Sequence, residues 1–253
     1  MSTKKVSLIF VVFLLLSLMA TLPAALVLPE LKLAKEIKYG NVNGVWWNST
    51  IDWISYEQFK QVDIALKLDF SCLVLAKLCF TASNTQSHLL LSQSLISKEL
   101  SIRNSQLQID FSEINSLLTK LLIKPKGTLN LEISAINLKD NILNNLIADI
   151  AWHQVGVQGE NFNLESVGAK VSHQKGNISF EFYDNSDKLD LSGFVTINAQ
   201  GMLQADVQIK TLAKFPSTLK SVLQSGLRQA GNNIYHYKVK NLPLNLANNS
   251  IIF

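Results

Sequence analysis

The stretch VDIALKLDF, residues 62–70, shows the pattern from which the fold of this chain can be predicted. Every second residue in it is apolar, and most of the residues between them are charged. Because successive side chains of a strand point to opposite faces of a sheet, this alternation predicts a strand with one buried face. The side chains predicted to share that face are Val62, Ile64, Leu66, Leu68 and Phe70.

The same alternation returns along the rest of the chain, separated by residues that favour turns. It recurs at residues 129–133, 146–152, 167–171, 178–182, 189–197 and 203–209. Turn residues lie at 139–141, at Gly156 and Gly159, and at 175–177, 184–187 and 199–201. Short strands at near-regular spacing predict a mainly β domain, an antiparallel meander that forms a curved sheet. The Gly-rich and Trp-rich residues 40–47 are predicted to be the first strand.

Two segments have helical rather than strand periodicity, and we expect amphipathic helices packed on the sheet. Residues 111–123 place five aliphatic side chains on one helical face, with Ser112 available as the N-cap. Residues 216–230 repeat this pattern, opened by Pro216 and closed by Gly231. Lys220 and Arg228 give the second helix a polar face that is only weakly basic, which favours packing over surface binding to a membrane.

The N-terminal segment predicts a membrane anchor. Residues 6–28 carry no charged side chain, and about 20 apolar residues suffice to cross a bilayer as a helix. The alternative is a cleaved secretory signal, but its apolar region is usually about 7–15 residues and ends at a small-x-small site. Lys4 and Lys5 favour a cytoplasmic N-terminus. We therefore expect a cytoplasmic tail at 1–5, an anchor ended by Pro29, a juxtamembrane linker at 29–39, and a periplasmic β-rich domain at 40–253.

Composition and motifs argue against several classes of function. The net charge of +4 is spread along the chain without a basic run, so nucleic acid is not an expected partner. The sequence has no nucleophile, zinc-protease or nucleotide-binding motif, and its histidines lack metal-ligand spacing. The segment DNSDKLD, residues 184–190, resembles a calcium loop but lacks the central Gly and the final Glu. We expect no catalytic residue, metal or cofactor, and interpret that segment as a hairpin turn.

The two cysteines, Cys72 and Cys79, leave two alternatives. In an exported protein they are candidates for a disulfide, whereas the alternative is a pair of buried free thiols. In one continuous strand they would lie about 23 Å apart, far beyond the limit of about 7 Å between bridged Cα atoms. A bridge therefore requires a turn around residues 74–77, and it would stabilise the fold by about 2.5 kcal/mol.

The tryptophans leave two alternatives, a binding platform for sugars or lipids and a structural role. Trp152 is in phase with the apolar side chains of its strand, which favours the core. Trp46 and Trp47 are adjacent and would point to opposite faces if extended, which leaves one of them for the membrane surface.

The order of these features resembles the type II secretion system protein N family, also called general secretion pathway protein N. The anchor contains Leu22-Pro23-Ala24, and Gly44-Val45-Trp46-Trp47 follows where the family has a Gly-Thr-Leu-Trp type segment. Further matching segments are Pro125-Lys-Gly127-Thr-Leu129-Asn-Leu131, Ala151-Trp152-His-Gln-Val155, Leu189-Asp-Leu191-Ser-Gly193 and residues 216–231. Ser49 and Ala76 stand where the family usually has Gly.

The resemblance implies a non-catalytic inner-membrane component of the machine that exports folded periplasmic proteins through an outer-membrane secretin. Expected partners are other inner-membrane components of that system and the secretin. An alternative is a lipid-binding groove like that of membrane-anchored AsmA-type proteins, since the sheet has one continuous apolar face. The two predicted helices decide between these alternatives, because a covered face cannot hold acyl chains. A hydrolase is the least favoured class for want of a nucleophile motif.

Overall fold

The computed structural model describes residues 3–30, 36–56, 59–114, 124–140, 142–157, 162–174, 176–212 and 215–243. Antiparallel strands form most of these residues, and the helices are few, so the predicted mainly β class is confirmed. The chain divides into two units, Met1–Ile96 and Ser97–Phe253, each of which is described by itself.

The N-terminal segment folds as helix α1 (Thr3–Thr21), the short helix α2 (Ala24–Val27) and a 3-10 turn (Leu28–Glu30). The predicted single helix ended by Pro29 is wrong, because the helix already breaks at Leu22 and Pro23. Proline has no N–H to donate, and it disfavours the helical conformation in the residue before it. Among the described residues, no helix is both long and apolar enough to cross a membrane, so the predicted anchor at 6–28 is not confirmed.

In the described part of the first unit there are six strands: β1 (Ile37–Tyr39), β2 (Val42–Val45), β3 (Asn48–Tyr56), β4 (Phe59–Asp69), β5 (Lys77–Ser83) and β6 (His88–Ser94). Their order in the sheet is β1-β3-β4-β5-β6, and β2 also pairs with β3. The predicted first strand at 40–47 is only partly right. Its middle forms β2, whereas Trp46 and Trp47 form the turn into β3.

The predicted buried face of β4 covers only part of the strand. Leu68 is buried, whereas Val62 and Phe70 are about half exposed. Phe70 has left the strand, because a 3-10 turn (Phe70–Leu75) begins at that residue. The alternation therefore identified the strand but overstated how much of one face is covered.

The residues of the second unit that the structure describes form a meander of nine strands: β7 (Leu100–Asp110), β8 (Pro125–Lys139), β9 (Ile142–Val157), β10 (Asn163–Gln174), β11 (Asn177–Asn185), β12 (Leu189–Ile197), β13 (Met202–Thr211), β14 (Arg228–Gly231) and β15 (Ile234–Pro243). Strands β7 to β13 pair in chain order, followed by β15 and then β14 at the edge. The turns predicted near residues 140, 176, 186 and 200 are confirmed. Gly156 lies inside β9 instead, and Gly159 is outside the described residues.

The predicted helices differ from the observed ones at their ends. Helix α3 (Phe111–Ile114) is capped by Asp110, whose carboxylate accepts the Ser112 backbone N–H at 2.7 Å, so Ser112 is not the cap. Predicted residues 115–123 lie outside the described chain. Helix α4 (Ser217–Gly226) follows Pro216 as predicted, but it ends at Gly226 rather than at Gly231. Residues 228–231 instead pair with β15 as strand β14, which supplies the backbone hydrogen bonds that a longer helix would have made.

The core of the second unit follows the predicted alternation. Ile133, Ala148 and Val171 stand opposite one another on β8, β9 and β10 and are buried together. The neighbouring Ile147 points to the other face and is about half exposed. A second buried cluster contains Val155, Leu164 and Leu189 near the other end of these strands. One face of the sheet is thus apolar and packed, as expected for period-2 patterning.

Candidate functional site

The end of α1 is held by two adjacent tryptophans of the first unit. The Trp46 indole N–H donates to the Met19 carbonyl at 2.6 Å, and the Trp47 indole N–H donates to the Ala20 carbonyl at 2.9 Å. The last four carbonyls of a helix have no partner within the helix itself. The Met19 carbonyl also accepts the Leu22 backbone N–H at 3.4 Å, so the two indoles supply the Ala20 carbonyl with a partner and the Met19 carbonyl with a second one.

Further contacts tie the same helix end to the β2–β3 turn. The Trp46 backbone N–H donates to the Leu22 carbonyl at 3.1 Å, while within the helix the Thr21 hydroxyl donates to the Ser17 carbonyl at 2.9 Å. Pro23 forms an isolated bridge with Val45. Trp46 and Trp47 occupy a turn rather than an extended strand, so the condition under which they would point to opposite faces is not met.

Phe70 connects the tryptophans to the loop closed by the cysteines. Its ring centroid lies 5.9 Å from that of Trp46 and 6.0 Å from that of Trp47, within the usual range for aromatic pairs. Phe70 also opens the 3-10 turn between β4 and β5. The end of α1, the tryptophan turn and this loop are therefore in contact with one another.

Cys72 and Cys79 form a disulfide, with their Cα atoms 5.9 Å apart. The predicted bridge is confirmed, and so is the turn that it requires. The chain reverses at Ala76, which has a left-handed backbone conformation (φ 51°, ψ 44°), before β5 begins at Lys77. At the start of the turn, hydrogen bonds from Ser71, with a smaller contribution from the Lys67 charge, hold the pKa of Asp69 below its usual value.

The closed loop exposes a group of apolar side chains, which we call the disulfide-loop patch. The exposed fraction reaches 89% for Val74, 82% for Ile96 and 71% for Leu75. The Leu95 backbone N–H donates to the Ala76 carbonyl at 2.9 Å, which places the end of β6 beside the loop. Contiguous exposed apolar side chains commonly mark a surface that meets a protein or a membrane. The patch consists of Phe70, Leu73, Val74, Leu75, Leu95 and Ile96.

The second unit contains an apolar cleft that helix α4 partly covers. Its volume is about 190 Å³, and Leu219 and Leu223 of α4 face the sheet across it. Phe162 and Phe215 meet edge to face with ring centroids 5.6 Å apart, and the Lys188 ammonium lies 5.7 Å from the Phe162 ring. Sheet residues that line the cleft include Trp152, Val155, Leu164, Leu189 and Ile209.

Trp152 occupies the apolar face of β9, as predicted from its phase. Its indole N–H donates to the Lys126 carbonyl at 3.0 Å, and its ring lies 4.8 Å from that of Phe111. The tryptophan therefore has its polar and apolar requirements met within the protein, which favours a structural role beside the cleft.

The opposite, polar face of the second unit is organised around Tyr183. Its ring lies over Gly168 of the neighbouring strand β10, and its hydroxyl donates to the Asp149 carboxylate on β9. Burial, the hydrogen bond to Asp149 and the negative charges of Asp149 and Glu132 raise the pKa of Tyr183 to about 12. The tyrosine thus stays protonated and links three strands.

Comparison with known families decides the identity of the chain. The sequence profile described as Type II secretion system (T2SS), protein N, matches residues 35–235, which is most of the chain. The chain belongs to the type II secretion system protein N family. The resemblance inferred from the order of Gly, Trp and Leu residues is confirmed. Comparison with curated proteins and with solved structures gave no significant match.

The match shows that this protein N family member is a component of type II secretion. The matched region begins after α1 and α2 and ends within β15, so it contains the tryptophan turn, the disulfide loop and the apolar cleft. These features consequently lie in the part of the chain that the family shares.

Two histidines of this protein N family member, His173 and His236, have polar neighbours. His236 is hydrogen-bonded to Gln208 at 3.0 Å, and His173 lies 3.3 Å from the Asn144 carbonyl. Within the described ranges, no group of three or more His, Cys, Asp or Glu residues is arranged to hold a metal ion. The calcium-loop resemblance is explained by a hairpin, because Asp184 accepts the backbone N–H groups of Ser186 and Leu191.

Sequence reasoning missed the disulfide-loop patch. A signal was present, since residues 70–76 (FSCLVLA) carry no charge and sit between Asp69 and Lys77. The alternation of apolar residues predicts that Phe70 belongs to a strand, and the residues after it were predicted only as a turn between the cysteines. The exposure of their side chains depends on how the loop packs beside the sheet, which the sequence pattern does not specify.

Proposed function

We propose that this protein N family member is a non-catalytic accessory subunit of the type II secretion system. In this proposal its N-terminal segment attaches it to the bacterial inner membrane, and its two β units act as a scaffold in the periplasm. The family match carries the assignment to the secretion system. The absence of known catalytic motifs from the sequence supports a scaffold over an enzyme.

Membrane attachment is supported by the apolar N-terminal segment. Residues 6–28 have no charged side chain, and Phe10, Phe13 and Met19 in α1 are 65%, 72% and 63% exposed. Exposing large apolar side chains to water is unfavourable, so an apolar environment is the favourable one for this helix. Lys4 and Lys5 support a cytoplasmic N-terminus under the positive-inside rule.

A scaffold role is supported by the edge strand of the second unit. Strand β14 is the last strand of its sheet, and all four of its residues are exposed. In the part of the chain that the structure describes, β14 pairs only with β15. An edge strand has unpaired N–H and C=O groups that can accept a strand of another protein. We propose this edge as a contact with another secretion subunit.

Photocrosslinking in cells with an intact secretion system tests the scaffold role. A photoreactive residue at Gln229 of β14 is expected to crosslink to an inner-membrane secretion component or to the secretin. A probe at Asn185, the exposed last residue of β11, is the control and should crosslink less. Recovery of no secretion subunit from Gln229, at normal protein levels, would contradict the proposed contact.

The proposed topology has its own test. A reporter fused after Phe253 that is active only in the periplasm should be active, and a reporter that is active only in the cytoplasm should be silent. The opposite result would overturn the periplasmic localisation of the β units. It would leave the family assignment intact.

The apolar cleft favours a second candidate, the AsmA-like binding or transfer of lipid. Phe162 and Phe215 are suited to an acyl chain, and the Lys188 charge beside them is suited to an anionic headgroup. The volume of about 190 Å³ is smaller than the roughly 300–1,000 Å³ typical of small-molecule pockets, and α4 covers part of the opening. These limits favour the scaffold role.

Mass spectrometry of lipids that copurify with the full chain distinguishes the two candidates. If the cleft carries lipid, Leu223→Trp should fill it and remove a bound lipid, whereas the exposed control Gln224→Trp should not. No difference between the two variants would remove the lipid candidate.

A further inference from the structure

The disulfide-loop patch has a position in the first unit that suggests what covers it. Phe70 at its base contacts both Trp46 and Trp47, and these residues bond to the end of α1. The patch therefore lies beside the point where the apolar N-terminal helix ends. We propose that this patch inserts into the lipid bilayer at the headgroup–acyl boundary, next to that helix end. The inference rests on the proposed membrane attachment of the chain.

The side chains of the patch have the chemistry of an interfacial segment. Leu73, Val74 and Leu75 are consecutive and exposed, and no charged residue occurs between Phe70 and Ala76. Lys67 in β4 and Lys77 at the start of β5 flank the loop, together with Asp69, whose carboxylate caps the turn and is near the Lys67 charge. Segments bound at a membrane surface combine apolar side chains, buried about 5–10 Å, with flanking basic residues.

The bonding at the end of α1 favours lipid over water around this part of the molecule. Met19 and Ala20 have carbonyls that accept indole N–H groups, and Thr21 uses its hydroxyl to bond the Ser17 carbonyl. Protein groups must replace water as partners of backbone groups wherever water is scarce. Tryptophan is also enriched at membrane interfaces, where its ring is apolar and its N–H still finds a partner.

Two features hold the loop in the conformation that presents the patch. The Cys72–Cys79 disulfide closes the turn, and the Ala76 backbone N–H donates to the carbonyls of Cys72 and Leu73. A constrained loop loses less conformational entropy when it binds a surface than a flexible one does. The apolar tip is thus already arranged for insertion.

Depth-dependent fluorescence quenching in vesicles tests the inference. The full chain, with both native cysteines, is reconstituted in phosphatidylethanolamine–phosphatidylglycerol vesicles that contain brominated lipids. An environment-sensitive fluorescent amino acid is introduced by codon suppression at Val74, at Phe13 in α1, or at Thr85. Thr85 is the control, because it is exposed in the turn after β5, whose last residue Ser83 lies about 20 Å from Lys77.

We expect bromine near the headgroups to quench the Val74 probe several-fold more than the Thr85 probe. The Phe13 probe reports separately on membrane attachment and should be quenched most by bromine deeper in the acyl chains. Quenching at Phe13 with Val74 no different from Thr85 would overturn the patch inference and leave the anchor in place. Quenching at Val74 without Phe13 would support the patch and overturn the anchor, and quenching at neither would overturn both.

A charged variant gives a second measurement. Leu75→Glu, combined with the Val74 probe, is expected to abolish most of the difference in quenching between Val74 and Thr85. Thr85→Glu is the matched control and should leave quenching at Val74 unchanged. If the Val74 probe is unquenched in vesicles and is shielded from solvent only when secretion subunits are added, a protein covers the patch and the lipid assignment is wrong.

Discussion

Replacing Gly168 with Ala should separate Tyr183 from Asp149 and destabilise the second unit. A Cβ atom added at Gly168 would lie 2.5 Å from the Tyr183 hydroxyl oxygen and 2.8 Å from the Ile150 carbonyl oxygen. Both distances are well below van der Waals contact, so the ring must move. Because the tyrosine hydroxyl donates to Asp149 from a position over Gly168, moving the ring breaks that hydrogen bond.

The expected decrease in the free energy of unfolding is the sum of three contributions. A hydrogen bond to a charged group contributes about 1.5–3 kcal/mol, and crowding in a packed region costs about 1–3 kcal/mol. Replacing Gly by Ala within a strand recovers about 0.5–1 kcal/mol of backbone entropy. We therefore expect Gly168→Ala to lower the free energy of unfolding by about 1.5–5.5 kcal/mol. Tyr183→Phe, which removes only the hydroxyl, should lower it by about 1.5–3 kcal/mol.

Urea unfolding of the full chain in a mild detergent, followed by circular dichroism, measures these differences. Gly226→Ala is the matched control, since a Cβ at the end of α4 would meet nothing within 4 Å. In a Tyr183→Ala background, Gly168→Ala should cost at least about 1 kcal/mol less than in the native chain, because the ring is already gone. A Gly168→Ala chain as stable as the Gly226→Ala chain, or additive costs in the double variant, would refute this account of the strand contact.

Four further predictions concern the loop, the cleft and pH. Ala76→Gly should stabilise the protein by about 0.5–1 kcal/mol in thermal unfolding, because relief of the left-handed backbone strain exceeds the cost of the greater entropy of the unfolded chain. In the same experiment the control Ala82→Gly, inside β5, should destabilise the protein. Cys72→Ser with Cys79→Ser should lower the free energy of unfolding by about 2.5 kcal/mol, and a reductant should do the same only to the native chain. Leu223→Ala should cost about 1–2 kcal/mol by enlarging the cleft, while Gln224→Ala on the exposed side of α4 should be nearly neutral in urea unfolding. The pKa of Tyr183 is about 12 in the folded protein, above the usual value of about 10. The contribution of the protonated tyrosine to stability is therefore complete below about pH 10 and is lost as the pH rises toward about 12. Tyr183→Phe should flatten that decline in stability.

Several structural features followed directly from local sequence patterns. Alternation at residues 146–152 and 189–197 predicted β9 and β12, and turn residues such as Gly201 correctly marked the hairpin ends. These predictions succeed because side-chain direction along a strand depends only on the local backbone. The position of a helix end is less local, and Gly231 failed as a stop signal because residues 228–231 pair with β15.

The candidate sites were less accessible from sequence. The local sequence predicts a strand at Trp46 and Trp47. It does not indicate that their indoles donate to the carbonyls of Met19 and Ala20. These contacts join residues 27 positions apart, and their geometry depends on the break at Pro23. The contact of Phe70 with both tryptophans likewise joins distant parts of the chain.

The sequence by itself determined the antiparallel class, most strands and turns of the second unit, the requirement for a turn between Cys72 and Cys79, and the family. Each of these depends on residue type at a fixed local spacing, or on the order of such features along the chain. Only the tertiary structure decided that the cysteines are bridged, that Phe70 to Leu75 expose an apolar surface beside the end of α1, and that Leu219 and Leu223 partly cover the cleft. Exposure and long-range contact depend on which distant segments pack together, and local periodicity does not specify that packing.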